Sequence, residues 1–153
     1  MSHEAIERNS EERERLIALV RDCSDDDLAA AVGDVWAVSS ALAHMAFWDQ
    51  FARLLLERQL SGLDARIDAP EWRDDVLNDA LLPLCRALDS RTAAQLAVDA
   101  ATATDGRLAE LSLATIEVLE ADADDTRWLL RRHRHRAEHL DEIEQALAAS
   151  ARV

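Results

Sequence analysis

Three of the five histidines sit at spacings that let imidazoles converge on one ion. His135 and His139 frame the stretch His135-Arg136-Ala137-Glu138-His139. Residues four apart on a helix lie one above the other, close enough to share a metal. His44 shares an apolar face with Trp48, Phe51 and Leu55 on another segment. Three imidazoles leave a tetrahedral divalent ion one open position, the mark of a catalytic rather than a closed structural site. Such a centre can make bound water a stronger acid or hold a thiol as its thiolate. The same residues also have plain readings. His pairs at this spacing are common on helices, a single His between Ala43 and Met45 is ordinary core, and His133 shows how freely this stretch uses the residue.

Charged and aromatic candidates surround the histidines. At 100° per residue, Arg132 and Arg136 fall in the arc that holds His135, His139 and Ile143. A buried guanidinium needs a partner. That partner is either the carboxylate of a small anionic substrate or thiol cofactor, gripped by the planar fork, or an interhelical acid such as Asp49 or Glu57. Arg13 is a weaker candidate for the same role. Trp48 and Phe51 either line a pocket beside the ion or pack the core. Asp49 is a candidate for orienting an imidazole from behind. Glu138 points away from the His pair and is assigned no role as a base. Cys23 and Cys85 lie off every candidate ligand position, so a sulfur nucleophile would have to arrive with a cofactor.

The elements that must carry these residues are helices. The chain is rich in Ala, Leu, Arg and Glu, with only 3 Gly and 2 Pro. A first segment runs over 2–22 with Ile6, Asn9, Arg13, Leu16, Ile17 and Val20 at helical spacing. Asn9 and Arg13 interrupt its stripe, either reaching water from the edge or facing an internal polar cavity. Ser24-Asp25-Asp26-Asp27 caps a short turn. The second segment covers 38–59, with Gly62 as its stop. A third starts near Ala69-Pro70 and carries Leu77, Leu81, Leu84 and Leu88, with Pro83 as a kink or first turn. Ser90 then caps a continuation bearing the small residues Ala93, Ala97, Ala101 and Thr104, followed by Leu108 and Leu111. Ser112 caps a short helix to Leu119. The last segment covers about 124–148, with Asp124 and Asp125 at its N-terminus. The expected fold is all-α: one domain over 1–153, an up-down four-helix bundle with extra short helices in its connections.

Composition removes several classes of function. The formal net charge is −14, from 31 acidic residues against 17 basic ones, all Arg. That argues against nucleic acid or an anionic membrane as partner. No apolar run is long enough to span a bilayer, and the polar N-terminus is not a secretory signal. Two distant cysteines read as free thiols, and the location expected is cytoplasmic. A homodimer is compatible with the Leu/Ala-rich outer faces.

The stretch Gly33-Asp34-Val35-Trp36-Ala37-Val38-Ser39-Ser40-Ala41-Leu42-Ala43-His44-Met45-Ala46-Phe47-Trp48-Asp49 resembles the DinB-like superfamily, especially the branch with mycothiol-dependent maleylpyruvate isomerases. The features of that pattern are Trp36 eight residues before His44, the aromatic-acidic pair Trp48-Asp49, and His135, His139 and Leu140 on the last helix. The resemblance implies a four-helix bundle whose His44, His135 and His139 bind a divalent metal, zinc first and nickel second. It further implies a small-molecule enzyme, a thiol-cofactor S-transferase or isomerase of the mycothiol type. A metal-dependent hydrolase for detoxification or self-resistance is the alternative, as is a non-catalytic metal-stabilised binding or stress-response protein. The absence of Lys beside abundant Ala and Arg suggests a high-GC source, which favours mycothiol. Two departures stand out at the motif. Ala37 replaces the usual Ser/Thr cap, leaving water or Ser39 to cap the helix. Ser40 replaces the usual acid, so no capping box is expected. The maleylpyruvate isomerases also carry a second, C-terminal domain, whereas this chain ends at Val153, so their substrate determinants do not carry over whole.

Overall fold

The computed structural model describes residues 2–63, 73–121 and 126–151, so the helix starts expected at Ala69-Pro70 and at Asp124 lie outside the described residues. Within them the chain is almost entirely helical. The elements are α1 (Ser2–Asp22), α2 (Asp25–Ala29), β1 (Ala31–Val32), β2 (Trp36–Ala37), α3 (Val38–Leu60), α4 (Arg73–Ala87), α5 (Ser90–Ala109), α6 (Leu113–Ala121), α7 (Arg127–Leu130) and α8 (Arg132–Ser150). No described helix is long and apolar enough to cross a membrane.

Local chemistry sets most of these boundaries. Ser24 caps α2 and receives the Asp27 amide, while the Asp27 carboxylate receives the Ser24 amide, closing a capping box. A two-residue antiparallel ribbon then pairs Ala31 with Ala37 and Val32 with Trp36. Gly33, at φ +61, turns the chain between its strands. This ribbon, not expected from the sequence, sets Trp36 at the head of α3. Ala37 offers no capping oxygen, but its N–H donates to Ser40 Oγ at 2.9 Å. Ser40 therefore supplies one half of a capping box, although the usual acid is missing. The far end of α3 closes as expected on Gly62 (φ +75). Gly62 N–H donates to the Gln59 carbonyl and Leu63 N–H to the Arg58 carbonyl, a Schellman closure. α5 is capped one residue earlier than expected, by Asp89, whose carboxylate accepts the Thr92 amide at 2.9 Å.

The core lies among α1, α3, α5 and α8. α1 packs on α5 and α8, α3 packs on the same two, and the most extensive contact is α3 against α5. Buried Ala93, Ala94, Ala97 and Ala101 permit that close approach. The apolar core falls into two main clusters. One is centred on Leu16, Leu28, Leu42, Met45, Leu140 and Ile143, the other on Leu55, Leu56, Leu108, Leu119, Leu129 and Leu130. Asp49 on α3, Asp105 on α5 and Arg136 on α8 lie between the positions that feed the two clusters, so a charged layer divides the core. The stripe expected on α4 is displaced. Leu77 and Leu81 are half-buried, Leu84 and Leu88 are exposed, and Cys85 is buried instead. α4 packs chiefly on α3, so it buries a narrower stripe than a helix with neighbours on two sides.

The expected single helix over 124–148 is broken. α7 ends at Leu130, Arg131 leaves helical geometry (φ −114, ψ 45), and α8 starts at Arg132. A break in a run of strong helix formers frees backbone groups that need partners. Asn9 of α1 supplies them: its Nδ2 donates to the Leu130 carbonyl at 2.9 Å, and its Oδ1 accepts the His133 amide at 2.7 Å. Asn9 is only 1% exposed, so it faces the interior rather than water.

Candidate metal centre

α3 presents His44 and α8 presents His135 and His139 to a common point. One ring nitrogen from each lies within 4.8 Å of the other two; metal–nitrogen bonds of about 2.0–2.1 Å hold ligand nitrogens no more than about 4.2 Å apart, so the rings would draw together slightly around an ion. Ring centroids are 5.4 Å apart for His44–His135, 4.8 Å for His44–His139 and 4.7 Å for His135–His139. His44 is buried, while the two α8 histidines are half-buried. Trp36 lies 5.2 Å from His44, and Trp48 lies 6.4 Å from both His44 and His135.

The hydrogen bonds prepare part of this cluster for an ion. His139 Nδ1 lies 3.0 Å from Glu142 Oε2, so a neutral ring donates there and leaves Nε2 bare. His44 Nδ1 is buried with no hydrogen-bond partner among the described residues. An orphaned buried nitrogen costs about 1–3 kcal/mol, and coordination would relieve it. The donor set and this orphan both fit a borderline divalent ion such as zinc or nickel.

Burial and neighbouring cations hold His44 and His135 neutral. Desolvation, with His139 and Arg132 nearby, pushes His44 from its ordinary 6.5 down to about 4. Desolvation and Arg132 push His135 lower still. Both rings therefore bind fewer protons folded than unfolded. Their contribution is intact above the unfolded value near 6.5 and is lost as pH falls towards 4. Urea midpoints of the metal-free protein are expected to be level between pH 7 and 8 and to fall steadily below pH 6.5. With His133 also lowered by burial and the arginines around it, the slope should approach about two to three protons taken up per chain on unfolding. A flat profile down to pH 4.5 would contradict burial of neutral imidazoles.

Behind the rings lies a buried ion network. Asp49, 1% exposed, accepts Arg132 Nε on Oδ1 and Arg136 Nε on Oδ2, each at 2.8 Å. Arg136 is fully buried and also donates to both oxygens of Asp105 and to the Asn9 carbonyl. Arg13 turns to Asp105, Glu14 and Ser10. Neither Arg136 nor Arg13 is thus placed to meet a substrate; the interhelical acid is Asp49 together with Asp105, whereas Glu57 pairs with Arg53. Asp49 meets no imidazole directly and reaches His135 only through Arg132, whose Nη2 lies 3.1 Å from His135 Nδ1. The two central arginines differ. Burial outweighs Asp49 and lowers Arg132 from its ordinary value, whereas Asp49 and Asp105 more than offset burial and raise Arg136.

An aromatic wall flanks the rings. Trp48 packs edge-on against Phe51 and Trp128, and Phe51 stacks on Phe47 and Trp128. The Arg132 guanidinium lies 5.3 Å from the centre of the Trp128 ring. Trp48 Nε1 donates to Asn78 Oδ1 of α4, and this bond fixes the ring. Both cysteines are free, buried and absent from the cluster, and burial raises their thiols. Sequence reasoning missed Glu142, Asp105 and Asn78. The first two left usable signals: Glu142 follows His139 by three positions, and Asp105 interrupts a face of Ala97, Ala101 and Leu108. Compared with known families, curated proteins and solved structures, the chain has no match.

Proposed function

We propose that this chain is a divalent-metal-dependent enzyme acting on a small molecule, built as an up-down four-helix bundle. Its chemistry, on this reading, is thiol-cofactor S-transfer or isomerisation of the mycothiol type, as in the DinB-like superfamily. The observation that carries the proposal is the convergence of His44, His135 and His139 within 4.8 Å, with a nitrogen of His44 left orphaned in the interior. A zinc or nickel ion there would supply Lewis acidity and one exchangeable position for a thiol or water. The chain's own residues do the rest. Glu142 sets the tautomer of His139, Trp36 and Trp48 pack beside the rings, and Asp49 anchors a guanidinium near them. Both cysteine thiols are buried elsewhere, which favours a sulfur delivered by a small cofactor. The packing of α1 and α3 on both α5 and α8 supports the bundle.

The experiment is a titration of the cobalt(II)-loaded protein with low-molecular-weight thiols, followed by absorption. A thiolate-to-cobalt charge-transfer band that saturates at one thiol per chain is expected. A spectrum unchanged by any thiol, with cobalt still bound, would turn the reading towards a hydrolase or a non-catalytic binding protein.

A further inference from the structure

Arg132 meets the candidate centre in a way that opposes metal binding. A guanidinium only donates, so its 3.1 Å contact uses the lone pair of His135 Nδ1. The neutral ring then carries its proton on Nε2, and neither nitrogen offers a lone pair to an ion. His139 presents the opposite case, with Nδ1 on Glu142 and Nε2 bare. An ion held by all three rings must therefore displace Arg132 from His135. The displaced side chain stays close: Nε is anchored on Asp49 Oδ1, and the residue is 4% exposed beneath Trp128. A fixed cation beside a dication is costly unless negative charge lies between them. Asp49 is shared with Arg136, so the network gives Arg132 only one carboxylate oxygen.

We propose that Arg132 is a displaceable donor: a divalent ion takes His135 from it, and the freed Nη2 then receives a small monoanion beside the ion. The monoanion is a carboxylate or a sulfur anion, and metal and anion bind with positive coupling. This inference rests on the metal reading above and adds the charge of the ligand. Coupling is reciprocal, so it can be read from metal affinity alone.

The test measures cobalt(II) affinity of the wild type and of Arg132→Met, each with no added anion, with acetate and with thiocyanate. Asp49 keeps Arg136 in this variant, so the buried carboxylate stays paired. Arg132→Met should bind cobalt about tenfold more tightly without anion, because a competing donor and a repelling charge are gone. Acetate or thiocyanate should tighten wild-type binding about tenfold and leave the variant unchanged. The stronger of the two identifies the carboxylate or sulfur class. Weaker or equal cobalt binding by Arg132→Met, or an anion effect of the same size in both proteins, would overturn the proposal. Nitrogen-15 spectra of the wild type add a readout independent of any variant. Metal-free His135 should be the Nε2–H tautomer, and an Nδ1–H tautomer would also overturn the proposal. If the wild type binds no cobalt, the metal reading itself falls and this inference falls with it.

Discussion

Replacing Asp49 with alanine is expected to lower the stability of the folded chain by about 3–5 kcal/mol, a large share of the roughly 5–15 kcal/mol that folded proteins typically have. One carboxylate holds two guanidiniums, and all three groups are at most 4% exposed. Removing it leaves Arg136 with Asp105 and leaves Arg132 with the lone pair of His135 and the face of Trp128, and no carboxylate among the described residues. An uncompensated guanidinium in a water-poor layer is among the costliest defects a core can hold. Exposed pairs provide the control, because Arg21→Ala breaks only the surface pair with Asp22 and should leave the urea midpoint essentially unchanged. Urea unfolding of the metal-free proteins measures both. A loss below about 1 kcal/mol for Asp49→Ala would show that the charged layer contributes little to holding the helices together.

The second large effect is on metal. Alanine at His44, His135 or His139 should each weaken divalent-ion binding about 100-fold. Roughly 10–16 kcal/mol shared among four positions of a zinc site leaves about 3 kcal/mol for each ligand. His44→Ala is the most discriminating, because it separates a ligand from a core histidine. Its Nδ1 has no hydrogen-bond partner among the described residues, so the ring stabilises the fold by packing, and that gain is offset by the orphaned nitrogen. The variant should therefore keep metal-free stability within about 1–2 kcal/mol of wild type. It should lose the extra stability that saturating metal confers, which is about 2.7 kcal/mol at 100 times Kd. A variant that is strongly destabilised without metal, yet gains the full increment with it, would mark His44 as core packing.

The three histidines were legible in the sequence because they lie on long periodic helices. The i, i+4 spacing on α8 and the apolar face of α3 survive small errors in boundary. α1 and the start of α3 were read at their observed residues for the same reason. What stayed hidden depends on partners distant in the chain. Nothing in Leu129-Leu130-Arg131-Arg132 announces a break, since these residues favour helix. The break exists because Asn9, 121 residues earlier than Leu130, satisfies the backbone there. The arc that carries Arg132 and Arg136 was visible, but their acids come from α3 and α5, and only Asp49 stood among the candidates named. The five arginines between Arg127 and Arg136 were compatible with either an external small anion or an internal salt-bridge network. Four of them are held internally: Arg127 and Arg131 by Glu120, and Arg132 and Arg136 by Asp49 and Asp105. Ser40 was dismissed as a cap because the usual acid is missing, although a hydroxyl at the same position reaches the same amide.

The most direct measurement is the metal content of protein purified without an affinity tag, loaded with zinc or nickel, freed of excess ion and analysed for elements. The convergence of His44, His135 and His139 predicts about one ion per chain in the wild type. It predicts under about 0.1 when His135 and His139 are both replaced by alanine. Wild-type protein that retains under about 0.1 ion per chain after loading would contradict the metal centre outright.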